Sequence, residues 1–415
     1  MKILIVSQYY PPENATLAST IAEGLAEGGH SVRVLTGFPN YPDGVIFEGH
    51  KQKWRQRELI NGIDVLRVPL YPDHSMNAVA RAANYASFAI SASTARAFAK
   101  DVDVIYVYAT QMTPALGPWL WRIFGGAPYV LHVQDLWPDS VVGSSLVSGS
   151  RSSRVIEAAL SPWLTTVYRN AAGIIGIAPT MVETLVSRGA PEDRVSLIYN
   201  WADEFDTEPP APQTTGDGTT NIVFAGNVGD MQNLETVVRA AHLVQDTAIR
   251  VTIIGDGVAL DRIKGLAEEL DVQNVVFQGR VPVEEMPAIW AEADFALVTL
   301  RDLPLFRGTI PSKFQAALAN GVPVITNVPG DLRGLVEDLN IGYTAEVEDP
   351  ASLSECFVRA SELDDAAYEE LRTRTARTYL EHFSCSAAIA AIEAELEKAA
   401  GTTKPTSPRP TTLVK

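Results

Sequence analysis

The stretch DTEPPAPQTTGDGTTNIVFAGN, Asp206 to Asn227, divides the chain. Asp206 to Thr220 mixes Pro, Gly and Thr with no apolar period, which reads as a linker. NIVFAGN follows at once as a buried-strand pattern. Similar patterns have already run their course upstream, so the linker is expected to join two domains. A length of 415 residues agrees, since one core rarely serves so long a chain.

Upstream, KILIVSQYY leads to a helical stretch near Ala18 to Glu27, then Gly28-Gly29-His30, then SVRVLT. Strand, helix, glycine stop and strand make the repeating unit of a parallel sheet. DVLRV, DVIYVY, PYVLHVQ and GIIGIA are further strand candidates, near helical segments such as MNAVARAANYASFAISASTARAFA. Downstream the pattern restarts: a helix from about Asn233, IRVTIIGDG, a helix, NVVFQGR, a helix, FALVTL, the helix within GTIPSKFQAALANG, and VPVIT. The expected fold class is α/β, two Rossmann-like parallel αβα domains facing each other across a cleft. Expected bounds are 1–205, linker 206–220, and 221–384. A helix at 385–400 is expected to pack back toward the first domain, with a disordered tail at 401–415.

Composition removes several function classes. A net charge of −17 and pI near 4.8 argue against nucleic acid, because phosphate backbones need a basic face. Residues 1–200 hold 16 basic and 16 acidic side chains, and residues 201–415 hold 17 and 34, so all the net charge lies in the second half. MKILIVSQYYPPE has too short an apolar run for a signal core, and no stretch is long enough to span a bilayer. Cys356 and Cys385 make no disulfide framework or metal-ligand spacing. A cytoplasmic protein is expected. HKQKWRQREL, His50 to Leu59, gathers four cations around Trp54. It reads either as a solvated loop or helix face, or as a patch resting on the inner face of an anionic membrane.

In open αβ sheets ligands bind beyond the carboxyl ends of strands, often at helix N-termini. Residues just after strands are therefore the candidates. Gly226, Asn227 and Gly229 follow NIVFA and read as phosphate-facing backbone or as an ordinary tight turn. Gly255 opens GDGVAL, which lacks the third glycine of a dinucleotide fingerprint. Lys313 carries the single charge between Arg307 and Asp331. Ser312 and Gln315 fit a capping box with Ser312 as N-cap, which places Lys313 in the first turn of a helix. A cation there opposes the helix dipole, unless an anion sits beside it. From the residues alone it is either a solvated lysine or an anion clasp.

In order along the second half, VFAGNVG, VTIIGDG, VVFQGRVP, ADFALV and PSKFQAALANGVPVI resemble the donor domain of family 4 glycosyltransferases, enzymes of the GT-B fold. ILIVSQYYPPENA, GGHSVRVLT, GFPNYPDG and HVQDLWPDS in the first half resemble it too. FPNYP, DLWP and PSK are similar to the subgroup that builds bacterial surface polysaccharides, such as aminosugar transferases. The resemblance covers roughly Met1 to Ala400. It implies transfer of a sugar, such as an N-acetylated aminosugar, from a nucleotide diphosphate, a UDP-sugar rather than a GDP-sugar. The acceptor it implies is a hydroxyl of a glycan or polyprenyl-diphosphate-linked glycan, with retention at the anomeric carbon and no cofactor. Departures exist. Gly308 and Ala316 stand where many members carry a pair of glutamates, and Met231 lies near a position usually held by lysine.

Under this resemblance Lys313 clasps the diphosphate with the amides of Lys313, Phe314 and Gln315, and stabilises its departure. Thr309, Pro311 and Ser312 join it as donor contacts, and Arg280 can stack on the base. Asp135, ending a strand in HVQDLWPDS, is the candidate to orient or deprotonate an acceptor hydroxyl. His132 faces the same side as Gln134, and Trp137 offers an apolar wall. Asn14, Asn40 and Tyr41 lie in loops at that edge and are candidate acceptor contacts. Asp101-Val-Asp103 matches a metal-binding pattern of another glycosyltransferase fold but precedes its strand, at the wrong end of the sheet; no metal is expected. Two rival readings are a sugar-nucleotide epimerase on this fold and a non-catalytic subunit with a decayed donor site.

Overall fold

The structure, a computed structural model, describes residues 1–13, 16–75, 77–137, 150–202 and 218–402. The expected linker falls almost wholly outside them, as do Asn14 and the tail beyond 402. The chain forms two compact units. One comprises Met1–Ile177, Met181–Ile198 and the chain from Ile389 onward; the other comprises Ala178–Thr180 and Tyr199–Ala388.

In the first unit eight strands form one sheet: β1 Lys2–Val6, β2 Ser31–Gly37, β3 Gln56–Ile60, β4 Ile63–Val68, β5 Val104–Ala109, β6 Tyr129–Val133, β7 Gly173–Gly176 and β8 Val195–Leu197. Their order is β3-β4-β2-β1-β5-β6-β7-β8, parallel except for β3. The second sheet holds β9 Thr220–Ala225, β10 Ile249–Ile254, β11 Val275–Gly279, β12 Phe295–Val298, β13 Val324–Thr326 and β14 Gly342–Thr344. Its order, β11-β10-β9-β12-β13-β14, reverses direction between β9 and β12. That is the doubly wound order 3-2-1-4-5-6, in which the loops after the first and fourth strands part and leave a crevice. Burial on both faces explains why these strands read as continuous apolar runs. Ile222 and Phe224 of β9 enter one core cluster, Val223 and Ala225 the other.

The second unit starts at Tyr199, ahead of the expected boundary, because Tyr199 stacks on Phe383 at 4.6 Å and the Asn200 carbonyl accepts the Gln315 side chain. The helix Cys385–Ala400 occupies the expected residues. From Ile389 it belongs to the first unit, where Ile392 and Leu396 are fully buried and Glu393 lies 2.7 Å from His30.

The basic stretch departs from its reading as a loop or helix face. Its second half is strand β3, antiparallel to β4 across Asn61 and Gly62, both at positive φ (47° and 80°). Asn-Gly is the strongest two-residue hairpin signal, and the cluster of charges obscured it. The side chains are also tied down. Arg55 donates to the Thr94 carbonyl, and Arg57 pairs with Asp64 and lies over Phe98.

Glu58 of β3 pairs with Arg67, whose side chain is 0 % exposed and also donates to the Gly37 carbonyl at 2.9 Å. Glu58→Gln leaves a buried guanidinium short of its counter-ion. Glu58 is itself part-exposed, so the expected cost lies below the roughly 3–5 kcal/mol of a wholly buried pair and above the roughly 1 kcal/mol of a surface pair. Urea unfolding measures it, and a cost under about 0.5 kcal/mol would show the pair to be solvent-screened.

Candidate functional site

The second unit gathers its candidates at the carboxyl edge of its sheet. β9 ends in Phe224 and Ala225, and Gly226 turns with φ +136°. Lys313 reaches back over this turn from the first turn of the helix Ser312–Ala319. Its Nζ lies 3.6 Å from the centre of the Phe224 ring. A Cβ on Gly226 would overlap Lys313 Cε and stand 3.0 Å from Nζ, so any larger residue would displace the lysine's mobile end, and the positive φ itself favours glycine. Gly255 meets a similar limit, since its Cβ would collide with the Gly226 carbonyl oxygen. The ammonium is shielded from solvent and has no hydrogen-bond partner among the described residues. Burial pulls its pKa from 10.5 to about 7. Lys313 is therefore not a solvated surface lysine; it is a desolvated amine without a hydrogen-bond partner among the described residues.

Several donor-side expectations need correction. Ser312 is not the N-cap. Pro311 holds that position with extended dihedrals and no side-chain cap, since proline fixes its own φ. The Phe314 amide is already bonded to the Pro311 carbonyl at 2.9 Å. Gln315 is buried and donates to Asn200, a structural tie, so it does not face a ligand. The amides of Gly226, Gly229 and Gly255 go to Ile254, the Gln232 side chain and Gly279. These glycines make space and do not donate. Asn227, Arg280 and Ser312 are exposed at this edge, while Pro311 and Thr309 are half-buried, with the Thr309 amide on the Phe306 carbonyl. Sequence reading missed Asn327, directly after β13. It is fully buried, accepts from the Leu300 amide and leaves its Nδ2 without a partner. A polar residue immediately after VPVIT was the available signal.

In the first unit the carboxyl edge carries a polar network. Glu13, 3 % exposed, accepts from the amides of Tyr10 (3.2 Å), Asn40 (2.8 Å) and Tyr41 (2.9 Å), and so fixes the loops after β1 and β2. Burial raises its carboxyl while those amides and Arg67 lower it. Asn40 is fully buried within this network, bonded to His74 and Phe38, so it shapes the loop and does not meet an acceptor. Tyr41 is 42 % exposed and available.

His132 is also corrected. It lies wholly inside the sheet on β6, bonded through Nδ1 to the Tyr106 hydroxyl, and burial depresses its pKa to about 3. Neutral and enclosed, it cannot serve an acceptor. Asp135 lies two residues beyond β6 and reaches solvent, yet surrounding protein still raises its carboxyl by desolvation. Trp137 is buried, 6.0 Å edge-on from Tyr85, and its carbonyl accepts from Arg188. Asn14 lies outside the described residues. Asp103 accepts the Lys2 amide at the amino end of the sheet, away from this edge. Glu13, His74, Arg81 and Tyr85 were missed, because no spacing rule links residues on different loops.

The Lys313 geometry predicts a stability effect with a definite sign. Folded Lys313 binds fewer protons than the unfolded chain between about pH 7 and its ordinary 10.5, so stability rises with pH across that window. Lys313→Met, close in shape and uncharged, is expected to raise the urea midpoint at pH 7. The gain should vanish near pH 10.5. A variant less stable than the parent at pH 7 would mean that the ammonium is not desolvated.

Comparison with known proteins bears on the fold and the family. Residues 15–201 match the Glycosyl transferase 4-like domain, and residues 207–377 match Glycosyl transferases group 1. The chain is 28 % identical over 340 residues to a putative colanic acid biosynthesis glycosyl transferase, WcaI, of Escherichia coli K12, covering 77 % of this chain and 82 % of that one. It is 27 % identical over 251 residues to the probable glycosyltransferase WbjE of Pseudomonas aeruginosa, covering 58 % and 61 %. Among solved structures, Anabaena HepE in complex with UDP and glucose superposes with a TM-score of 0.61 at 15 % identity, covering 96 % of this chain and 99 % of that one. The lipopolysaccharide outer core galactosyltransferase WaaB gives 0.61 at 14 %, covering 95 % and 99 %. These two likenesses speak for the fold alone. Taken with the domain matches, they make this chain a two-domain glycosyltransferase of family 4, with the GT-B fold.

Proposed function

We propose that the protein transfers a sugar from a nucleotide diphosphate, a UDP-sugar, to a hydroxyl of a glycan or polyprenyl-diphosphate-linked glycan in bacterial surface polysaccharide synthesis. The observation that carries this is the shielded, unpartnered ammonium of Lys313 beside Gly226. A departing diphosphate gains negative charge in the transition state, and a preorganised cation in a water-poor site stabilises that charge more than the ground state. Asp135, with its raised carboxyl, orients or accepts the proton of the acceptor hydroxyl. Relatives named for colanic acid synthesis support the polymer class. Retention, an aminosugar donor and a reaction without resident cofactor are part of the proposal.

Calorimetric titration of UDP and GDP into the parent and Lys313→Ala tests it. The expected result is UDP binding, weakened at least tenfold in the variant, about 1.4 kcal/mol. Because the bound anion restores the lysine's charge, UDP binding at pH 8 should take up protons from buffer. If neither nucleotide binds the parent, the non-catalytic reading takes its place. Proton NMR of the product's anomeric coupling decides retention.

We further propose that the acceptor is met at a membrane surface. No helix among the described residues is long and apolar enough to cross a membrane. The helix Ala78–Ser93 nevertheless exposes Val79 (78 %) and Ile90 (62 %), Ile90 lines an open apolar groove of about 330 Å³, and Phe124, whose carbonyl accepts from Arg96, is 68 % exposed. Between Asp73 and Asp135 the sole acids are Asp101 and Asp103, against Arg81, Arg96, Lys100 and Arg122. This surface sets exposed apolar side chains among basic residues, a combination that suits an anionic bilayer; its arginines, like those of His50–Leu59, are bonded within the protein. Co-sedimentation with phosphatidylglycerol liposomes is expected, and Ile90→Glu should abolish it. Binding unchanged by that substitution would exclude the groove.

A further inference from the structure

Arg81 occupies a position that the reaction described so far does not use. It lies in the first turn of the helix Ala78–Ser93, where a cation opposes the helix dipole. The terminal amides cannot draw an anion there, because Asn77 already caps those of Val79 and Ala80. What remains is the guanidinium. Its Nη2 donates to the Tyr85 hydroxyl at 3.0 Å, and its Nε is buried with no partner among the described residues. No carboxylate among the described residues lies within ion-pair distance of it. Glu13, the buried acid of this edge, is occupied by three backbone amides and answers to Arg67 instead.

Beside Arg81 stand three rings in mutual contact. Tyr9 and Tyr41 are 5.3 Å apart, Tyr41 and His74 meet edge-on at 5.1 Å, and Tyr9 and His74 are 5.8 Å apart. Desolvation lowers the His74 pKa, and the charge of Arg81 lowers it further, while Asp73 opposes both. Tyr9 likewise feels Arg81, Tyr85, Glu13 and Tyr41. His74 thus lies within electrostatic reach of the Arg81 guanidinium, which has no carboxylate in ion-pair contact among the described residues. One carboxylate would neutralise Arg81 alone. A phosphate, with a charge near −2, satisfies the guanidinium fork and lets His74 take a proton as well.

We propose that Arg81, with His74 and the Tyr9–Tyr41 pair, forms a second anion subsite that holds the phosphate or diphosphate of a phosphorylated sugar acceptor, with Tyr41 lying against the adjoining ring. This deepens the reading of the first unit as the acceptor-binding one and rests on it. Arg81 is a binding residue here and takes no part in bond making.

The test uses the full-length protein with ¹³C-labelled histidine and saturating UDP, which keeps the probe from Lys313. Inorganic pyrophosphate is titrated while the His74 ring resonance is followed, assigned by its loss in His74→Gln. The expected result at pH 7 is a saturable shift of His74 toward its protonated position, needing at least tenfold more pyrophosphate in Arg81→Gln. Unchanged UDP affinity in Arg81→Gln shows that the variant is folded. If UDP binds and His74 stays unmoved, or moves equally in Arg81→Gln, the subsite is overturned while the donor reading stands. If UDP itself fails to bind, the donor reading falls, and the same titration repeated in Lys313→Ala still decides the subsite by the same two readouts. Farnesyl diphosphate and glucose 1-phosphate, compared in the same way, identify the source. Tighter binding of the former assigns a lipid-linked acceptor, and of the latter a free sugar phosphate; Arg81 dependence supports the subsite in either case.

Discussion

A lysine ammonium held over an aromatic ring with no hydrogen-bond partner constrains the whole carboxyl edge of the second sheet. Lys313 lies against Phe224 and Gly226, and each neighbour is fitted to that placement. The glycine leaves room for the lysine's end and suits the turn's positive φ. The ring supplies the negative face that partly offsets the lost hydration of the cation, which a cation–π contact does by about 0.5–2 kcal/mol. The helix that carries the lysine is anchored one residue later by Phe314, fully buried and edge-on to Phe383 at 5.4 Å. Packing below therefore holds in place a charge that would otherwise turn to solvent. The arrangement is costly in the free protein, and such a cost is reasonable at a site whose charge is matched only when ligand is bound.

The first unit solves a related problem in the opposite way. Its buried charges, Glu13 and Arg67, are saturated by backbone amides, carbonyls and Glu58. Gln8 links Asn84 to Gln111, so the strand ends of β1 and β5 are joined to the helix Ala78–Ser93 by side-chain amides. A network satisfied in this way is rigid, and rigidity positions what stands on top of it: Tyr41, the exposed side of Asp135 and the guanidinium of Arg81.

How much of this was legible follows from the range of each signal. Strands and helices announce themselves through local period, so the central strands of both sheets were readable, β9 to within one residue, while the outer strands β3, β8 and β14 were not read. Lys313 stood out because it is alone in an apolar segment. Failures came where the deciding partner is distant in sequence. Gln315 looked like a capping residue until Asn200 claimed its amide, 115 residues away. His132 alternates correctly along β6, but Tyr106 and Tyr108 on the neighbouring strand enclose it. Asn40 looked like a loop residue because nothing local reveals that Glu13 lies beneath it. The hairpin at Asn61-Gly62 was the one miss with a local signal, hidden by the charges around it.

The departures from the family pattern can be read as geometry. Gly308 stands where relatives in the resembled pattern carry the first of two acids. A Cβ there would lie 3.1 Å from Thr180, so a side chain would press Thr180 aside by a few tenths of an ångström. Thr180 is fixed in turn by Asp331, whose two oxygens accept its amide at 2.9 Å and its hydroxyl at 2.7 Å. A donor site losing its function through drift would leave a hole or an unsatisfied group where the acid had been. Here the position is packed, a different carboxylate is bonded in the neighbourhood, and the unsatisfied group is a cation facing the glycine turn. That pattern differs from a site emptied by drift: the position of the lost acid is closely packed, and Lys313 stands beside the glycine turn without a partner among the described residues.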